Sequence, residues 1–415
     1  MSNTRTGAGS GGLIGWIDDR FPLTKMWNEH MGEYYAPKNF NFWYFFGSLA
    51  LLVLVIQLIS GIWLTMNYIP SADRAFESVE YIMREVEYGW LMRYIHSTGA
   101  SAFFIVVYLH MFRALMYGSY QKPRELLWIF GVLIYVVLMA EAFFGYILPW
   151  GQMSYWGAQV IISLFGAIPV IGPELAMFVR GDFVISEITL NRLFALHVAA
   201  LPLAIIFLVV AHILALHEVG SNNPDGIEIK KNKDANGNPK DGIPFHPYYT
   251  VKDLAGYAAF LVLFAVVVFY MPEFFGYFLK PPNFVEANPT VTPEHIPPVW
   301  YFGAYYAMLR GVPDTFGGVI VMGSAIVILF FLPWLDRGRV RSIRYRGLGF
   351  KIALMLFAAA FIMLTYLGTE PAGPWNIILS RVGTAIYFGY FIFLFVYTFF
   401  DLERTKPVPE RVTMQ

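Results

Sequence analysis

HSTGASAFFIVVYLHMFRALMYGSY, residues 96–120, and HVAALPLAIIFLVVAH, residues 197–212, decide the fold. Each is an apolar run carrying two histidines: His96 and His110 are 14 residues apart, His197 and His212 are 15 apart. Fourteen residues of α-helix rise ~21 Å and turn to within ~40° of the starting direction. Each pair therefore sets two imidazoles roughly on one helix face, one toward each side of a ~30 Å hydrocarbon core. A lone histidine in a membrane helix is usually a packed or hydrogen-bonded core residue. Four of them at two matched depths on two segments call for a functional reading. Two such helices facing each other offer two stacked bis-histidine sites, a place for two haems with an electron path between them.

The rest of the chain has the same apolar character. Of 415 residues, 57% are hydrophobic and 14% charged, and eight stretches are long enough to cross a bilayer. They lie near 42–66, 92–117, 125–148, 189–217, 254–275, 315–335, 350–368 and 377–400. Only helices or closed barrels satisfy the backbone in lipid, and these segments lack the alternation of barrel strands. The expected fold is an all-α membrane protein with eight transmembrane helices. Net charge is zero, which implies no globally acidic or basic partner and no nucleic acid. The basic residues are uneven, however. Lys122 and Arg124 follow the second span, Lys230, Lys231, Lys233 and Lys240 the fourth, and Arg337, Arg339, Arg341, Arg344 and Arg346 the sixth. The positive-inside rule then expects both termini in the cytoplasm. Tyr34, Trp43, Trp90, Trp150 and Trp300 lie near span ends, where aromatic belts form. The absence of cysteine excludes disulfides, cysteine-held iron–sulfur clusters and covalent haem attachment within this chain. Residues 1–40 lack the apolar core of a cleavable signal peptide, so the first span is expected to direct insertion.

Four segments follow. Residues 1–40 are polar with scattered aromatics and read as a cytoplasmic N-terminal segment with a surface helix. Residues 41–217 hold all four histidines and form a four-helix dihaem-binding unit. Residues 218–252 are a hydrophilic linker whose stretch from Lys230 to Asp241 reads as a solvated loop. Residues 253–415 form a C-terminal four-helix unit. Two loops on the side opposite the basic ones are unusually long: 149–188, with short amphipathic runs, and the proline-rich 276–314. Long ordered loops tend to be functional.

Glycines repeat the histidine interval. Gly47 and Gly61 are 14 apart in the first span, and Gly131 and Gly145 are 14 apart in the third. Glycine inside a helix costs ~1 kcal/mol against alanine. Its recurrence at this interval marks places where a porphyrin edge passes close to the backbone. Here the chain closely resembles the cytochrome b family of the respiratory ubiquinol–cytochrome c oxidoreductases, in its proteobacterial form. The resemblance runs from about Phe40 to Phe400. It is carried by GSLALLVLVIQLISGIWLTMNY from Gly47, the stretch from His96 already quoted, and GYILPWGQMSYWGAQVI from Gly145. NRLFALH from Asn191, HEVGSNNPDG from His217, FHPYYTVKDL from Phe245 and PVWY at Pro298–Tyr301 add to it.

The resemblance implies two non-covalently bound b-type haems, two quinone sites, and ubiquinol oxidised near the outer face. One electron would leave for a Rieske iron–sulfur protein and a c-type cytochrome. The other would cross through the haems to a quinone near the inner face. It also implies a homodimeric complex in the bacterial inner membrane, in contact with lipid. With the N-terminus inside, the second and fourth spans run in the same direction, so His96 pairs with His197 outside and His110 with His212 inside. Arg93 and Arg113, at the two ends of the second span, are placed to meet haem propionates. The inner quinone site resembles the family's in His217, Ser221, Asn222, Lys252 and Asp253. A histidine and an acid beside a lysine suit proton delivery to quinone oxygens. The outer site is expected between the end of the third span, the loop after it and the 276–314 loop, with Tyr301 in it.

This chain departs from the family in two places. PVWY has Val299 where a glutamate usually takes a proton from quinol, and Glu141 lies inside the third span, where relatives commonly carry a neutral residue. An intramembrane carboxylate is a functional candidate by default. Glu141 is therefore expected to take over the proton-accepting role, with Glu294, expected to be solvated, as its competitor. The family interval in the fourth span is often 14 but is 15 here, and Pro202 lies between the ligands. A π-type bulge between His197 and His212, in the stretch Val198 to Pro202, is expected to absorb the extra residue. A transporter would need broken helices near mid-membrane. A simple dihaem anchor would not explain the second four-span unit or the two long loops.

Overall fold

A computed structural model describes residues 12–28 and 32–413, so the rest of the expected N-terminal segment and the last two residues lie outside the described residues. Among the described residues, eight helices are long and apolar enough to span a membrane. They are α1 (Phe42–Thr65), α2 (Gly89–Tyr117), α3 (Glu125–Ile147), α4 (Glu187–Val219), α5 (Tyr248–Tyr270), α6 (Thr315–Leu335), α7 (Leu348–Thr369) and α8 (Pro374–Phe399). Seven start and stop within a few residues of expectation. α5 begins six residues earlier than expected, because the polar turn around Lys252 and Asp253 is helical, and it stops just ahead of Pro272.

The packing partners place the site. α1 lies along α2 and α3 along α4, while α5 packs on α1 and α2. α6, α7 and α8 pack with a short helix, Gly303–Gly311, that sits in the second long loop. The two groups meet where α3 packs on α6, and Trp128 Nε1 donates to the Leu329 carbonyl at 2.7 Å. One apolar cluster runs through both, from Val53 and Phe104 to Tyr301, Tyr305 and Leu394. Burying such side chains contributes about 1.5–3 kcal/mol each in soluble proteins. Where lipid is the alternative, close packing carries more of the association.

The two aqueous faces are tied differently. On the face of the basic loops, β1 (Tyr35–Pro37) pairs antiparallel with β2 (Gly242–Pro244), Tyr35 opposite Pro244. There Arg346 bonds Asp336 at 2.5 Å and Glu403 at 2.8 Å, and Arg124 bonds Glu228 at 2.6 Å. Asp225 accepts from Arg344, Asn39 and Thr413. Lys38 and Arg411 hold Asp241 at 2.9 and 2.7 Å. The linker stretch from Lys230 is largely exposed up to Lys240, as expected, and only its end at Asp241 is buried and held by ion pairs. The opposite face is tied mainly through carbonyl and amide acceptors, among them the Leu367 and Glu370 carbonyls, which accept from Arg310, and the Gly311 carbonyl, which accepts from Arg381. Helices Gln152–Gly166 and Gly172–Arg180 fill the first long loop. Asn283 accepts from Ser154 N at 2.8 Å, Val285 O accepts from Gln152 N, and Trp150 O accepts from Ala287 N.

The expected irregularity in α4 is present, two residues earlier than placed. Residues Leu196–Ala200 form a π turn in which the Leu201 N–H reaches the Leu196 carbonyl, five residues back. Pro202 has no N–H to give, so the wide turn closes before it and Pro202 sits in the first turn of the following α segment.

Candidate functional site

The four histidines come together as two pairs. The rings of His96 and His197 have centroids 6.3 Å apart at 88°, and those of His110 and His212 are 6.3 Å apart at 61°. A first-row metal between two imidazole nitrogens at about 2.0 Å each sets the centroids roughly 6.3 Å apart. Among the described residues no group of three or more His, Asp or Glu is gathered to hold a metal. Two imidazoles leave most of a coordination sphere open, so a metal here needs a macrocycle to supply the remaining ligands. The residues present fit that group.

Each histidine faces one of the four glycines. A Cβ on Gly61 would meet His96 Cε1 at 3.2 Å, and one on Gly47 would meet His110 Cε1 at 3.2 Å. On Gly131 it would meet His212 Cε1 at 3.4 Å, and on Gly145 it would meet His197 Cε1 at 2.4 Å. The 14-residue interval of the glycines is therefore the register of α1 and α3 against the histidines of α2 and α4.

The remaining ring nitrogens differ. Ser60 Oγ lies 2.9 Å from His96 Nδ1. His197 Nδ1 lies 2.9 Å from the Glu141 carbonyl and 3.0 Å from its Oε1. Arg113 lies 3.1 Å from His110 Nδ1 and stacks on Tyr44 at 4.8 Å. His212 Nδ1 is buried without a hydrogen bond, with the Leu127 carbonyl near it but outside bonding geometry. Arg93 lies near His96, Tyr94 and Tyr146.

At the inner end, His217 stacks on Tyr34 at 4.5 Å, and the Tyr34 hydroxyl lies 2.8 Å from Ser221 Oγ. A cavity of about 580 Å³ opens there, lined by Tyr34, Phe130, Leu214 and His217 among others. Burial pushes the Tyr34 phenol up, so it stays a neutral hydrogen-bonding group. Asn222 is buried and donates to the Tyr117 carbonyl at 2.7 Å, which makes it a strut of the loop. Lys252 lies over the rings of Tyr248 and Tyr249, and Asp253 lies near Ser48. Phe245 and Tyr249 stand between Tyr34 and Lys252.

At the outer end the three expected segments meet. Tyr301 stacks on Phe104 at 4.0 Å and 5°, and its carbonyl accepts from Tyr108 at 2.7 Å. Val299 is buried beside it, and Glu294 is exposed. Tyr146, at the end of α3, has a buried hydroxyl without a partner among the described residues. Glu141 is turned to His197, with Oε2 buried and unpartnered.

Sequence reasoning missed Tyr34 and Ser60. Tyr34 reads as an interfacial aromatic, and only the β1–β2 pairing across two hundred residues brings it to His217. Ser60 had a local signal, because it directly precedes Gly61 in the sequence.

Comparison with known proteins shows the family of the chain. Residues 31–220 match the family model Cytochrome b/b6/petB, and residues 286–388 match Cytochrome b(C-terminal)/b6/petD. The chain is 60% identical to cytochrome b of Allochromatium vinosum, over 96% of this chain and 98% of that protein. It is 48% identical to cytochrome b of Rickettsia prowazekii, over 97% of each. It belongs to the cytochrome b family. It is also 46% identical to a cytochrome b/c1 of Bradyrhizobium diazoefficiens, over 96% of this chain and 56% of that protein. A chain of a hyperthermophilic respiratory Complex III superposes with a TM-score of 0.87 at 40% identity, covering 94% of this chain and 99% of that one. The chain is thus a multi-pass membrane cytochrome b of a respiratory Complex III-type assembly, from a family that binds haem and works with quinone.

Proposed function

We propose that this chain is the dihaem subunit that oxidises ubiquinol near the outer face and reduces quinone near the inner face, so contributing to a proton gradient. The observation that carries the reading is the pair of imidazole pairs, each 6.3 Å between centroids and each backed by glycines. His96 and His197 hold the outer haem, and His110 and His212 the inner one. Gly47, Gly61, Gly131 and Gly145 leave room for the rings, and Arg93 and Arg113 bind propionates by charge-assisted hydrogen bonds. Two b haems, when bound, supply one-electron carriage across the membrane.

The quinones are handled by side chains. At the inner site His217 and Asp253 move protons to the quinone oxygens, Lys252 offsets negative charge there, and Ser221 and Asn222 orient the ring and shape the loop. At the outer site Tyr301, held flat on Phe104, walls the quinol pocket against water. Val299 offers no acceptor, and the bond to His197 leaves Glu141 only Oε2 for a quinol.

The partners follow from the neighbours. A relative named cytochrome b/c1 and a Complex III neighbour support a c-type cytochrome and a Rieske iron–sulfur protein as electron acceptors, and the family resemblance suggests a homodimeric complex. The basic loops support cytoplasmic termini in a bacterial inner membrane. The test is a purified complex, analysed for haem and for quinol–cytochrome c activity. Two spectrally resolved b components per chain and quinol-dependent reduction of cytochrome c are expected. One component, or none, contradicts the reading.

A further inference from the structure

At three of the four histidines, the carbonyl four residues before the facing glycine approaches the ring. These are Gln57 at His96, Leu127 at His212 and Glu141 at His197. That placement is a consequence of helix geometry, because residues i and i+4 share a face. Two of the three residues have neutral side chains. The third is a carboxylate, and it folds back so that His197 Nδ1 meets both Glu141 O at 2.9 Å and Oε1 at 3.0 Å. The second oxygen is buried without a partner, and no Lys or Arg among the described residues pairs with this carboxylate.

The inner pair has the opposite surroundings. A guanidinium stands 3.1 Å from His110 Nδ1, and His212 Nδ1 has no hydrogen bond. A histidine that donates its second N–H to a carboxylate is oriented, fixed in tautomer and made more basic toward its metal. Greater basicity favours the oxidised metal, and hydrogen bonding to ligands is one of the levers that sets haem potentials.

We propose that Glu141 is a positioning residue for the outer haem. Its carboxyl group accepts the Nδ1–H of His197, leaves Nε2 for the iron, and lowers the reduction potential of that haem relative to the inner one. Glu141 then belongs to the haem rather than to the quinol. The inference rests on the bis-histidine pairing proposed above.

The test is a potentiometric titration of the purified complex carrying Glu141→Gln, with both b components resolved. The outer component is expected to shift at least tenfold toward reduction, a rise of about 59 mV for a one-electron couple. The inner component should stay where it is, and Glu141→Asp should fall between. An unmoved outer midpoint overturns the inference. An unmoved midpoint with collapsed turnover per outer haem overturns it too, and assigns the carboxylate to quinol oxidation. If the variants do not assemble, pulsed EPR of the remote imidazole nitrogens in the wild-type complex decides. One outer ligand more strongly hydrogen-bonded than either inner ligand supports the inference, and equal couplings overturn it. Absence of two b components in the wild type would sink the pairing itself, a separate failure.

Discussion

The outer pair, His96 with His197, and the inner pair, His110 with His212, hold their rings at the same 6.3 Å separation. Behind that shared geometry the two differ. The outer nitrogens meet a serine hydroxyl and a glutamate, while the inner ones have an arginine beside one and only the nearby Leu127 carbonyl beside the other. On the proposed assignment, the first setting favours an oxidised metal and the second a reduced one. The lesson is that ligand spacing fixes where an electron can rest, and the partners of the free nitrogens bias which way it moves.

The glycines test the comparison most severely. A Cβ on Gly145 would press on His197 Cε1 at 2.4 Å, whereas one on Gly131 stands 3.4 Å from His212 Cε1. Gly145→Ala is expected to lower outer haem content about tenfold, in line with an overpacking cost of ~1–3 kcal/mol. Gly131→Ala should keep the inner haem. Reduced-minus-oxidised spectra normalised to protein will show this, and equal losses would mean that the two sites are equally tight.

Arg113→Leu removes the cation beside the inner pair. The guanidinium only donates, so its loss acts through the proposed propionate bond and the local charge rather than through the Nδ1–H. The inner component should be lost more readily on detergent washing, and its midpoint should fall toward the outer one. A rise instead would reverse the charge argument.

Much of this was legible in sequence because it repeats along single helices. The histidine and glycine intervals are periodic, so the ligands, their facing helices and the eight spans follow from one-dimensional spacing. The extra residue before His212 and the proline at 202 marked the widened turn, though its start at Leu196 depends on where the backbone relaxes. What the sequence hid is rotation and long-range pairing. That Glu141 shares a helix face with Gly145 was readable, but that this face meets His197 is a property of α3 against α4. Tyr34 reaches His217 only through strand pairing, and Asp241 is buried only because the C-terminal tail returns to it.

Tyr34→Leu bears on the inner end alone. It removes the stack on His217 and the bond to Ser221, worth ~1 kcal/mol. The expected result is an apparent KM for quinone raised about 5-fold at the inner site, with both haem spectra unchanged. A change at the outer site would break the separation of the two ends.

The smallest effect concerns the two aqueous faces. Burial alone would raise the Asp241 carboxyl, but bonds from Arg411 and Lys38 outweigh it and hold it at about 2, below the ordinary 3.8. Its stabilisation is complete above pH 3.8 and is lost as pH falls through about 2. Hydrogen exchange should show the C-terminal tail loosening in that window, before the outer loops held by Asn283 and Ser154. Simultaneous loosening would contradict the contrast.

The pairing of ligands across the membrane is tested most directly by four single variants, His96→Leu, His197→Leu, His110→Leu and His212→Leu, each read by redox difference spectra of the assembled complex. The first two should lose the same low-potential component and the last two the same high-potential component, each leaving some of the other. If His96→Leu and His110→Leu remove the same component, the pairing described here is wrong.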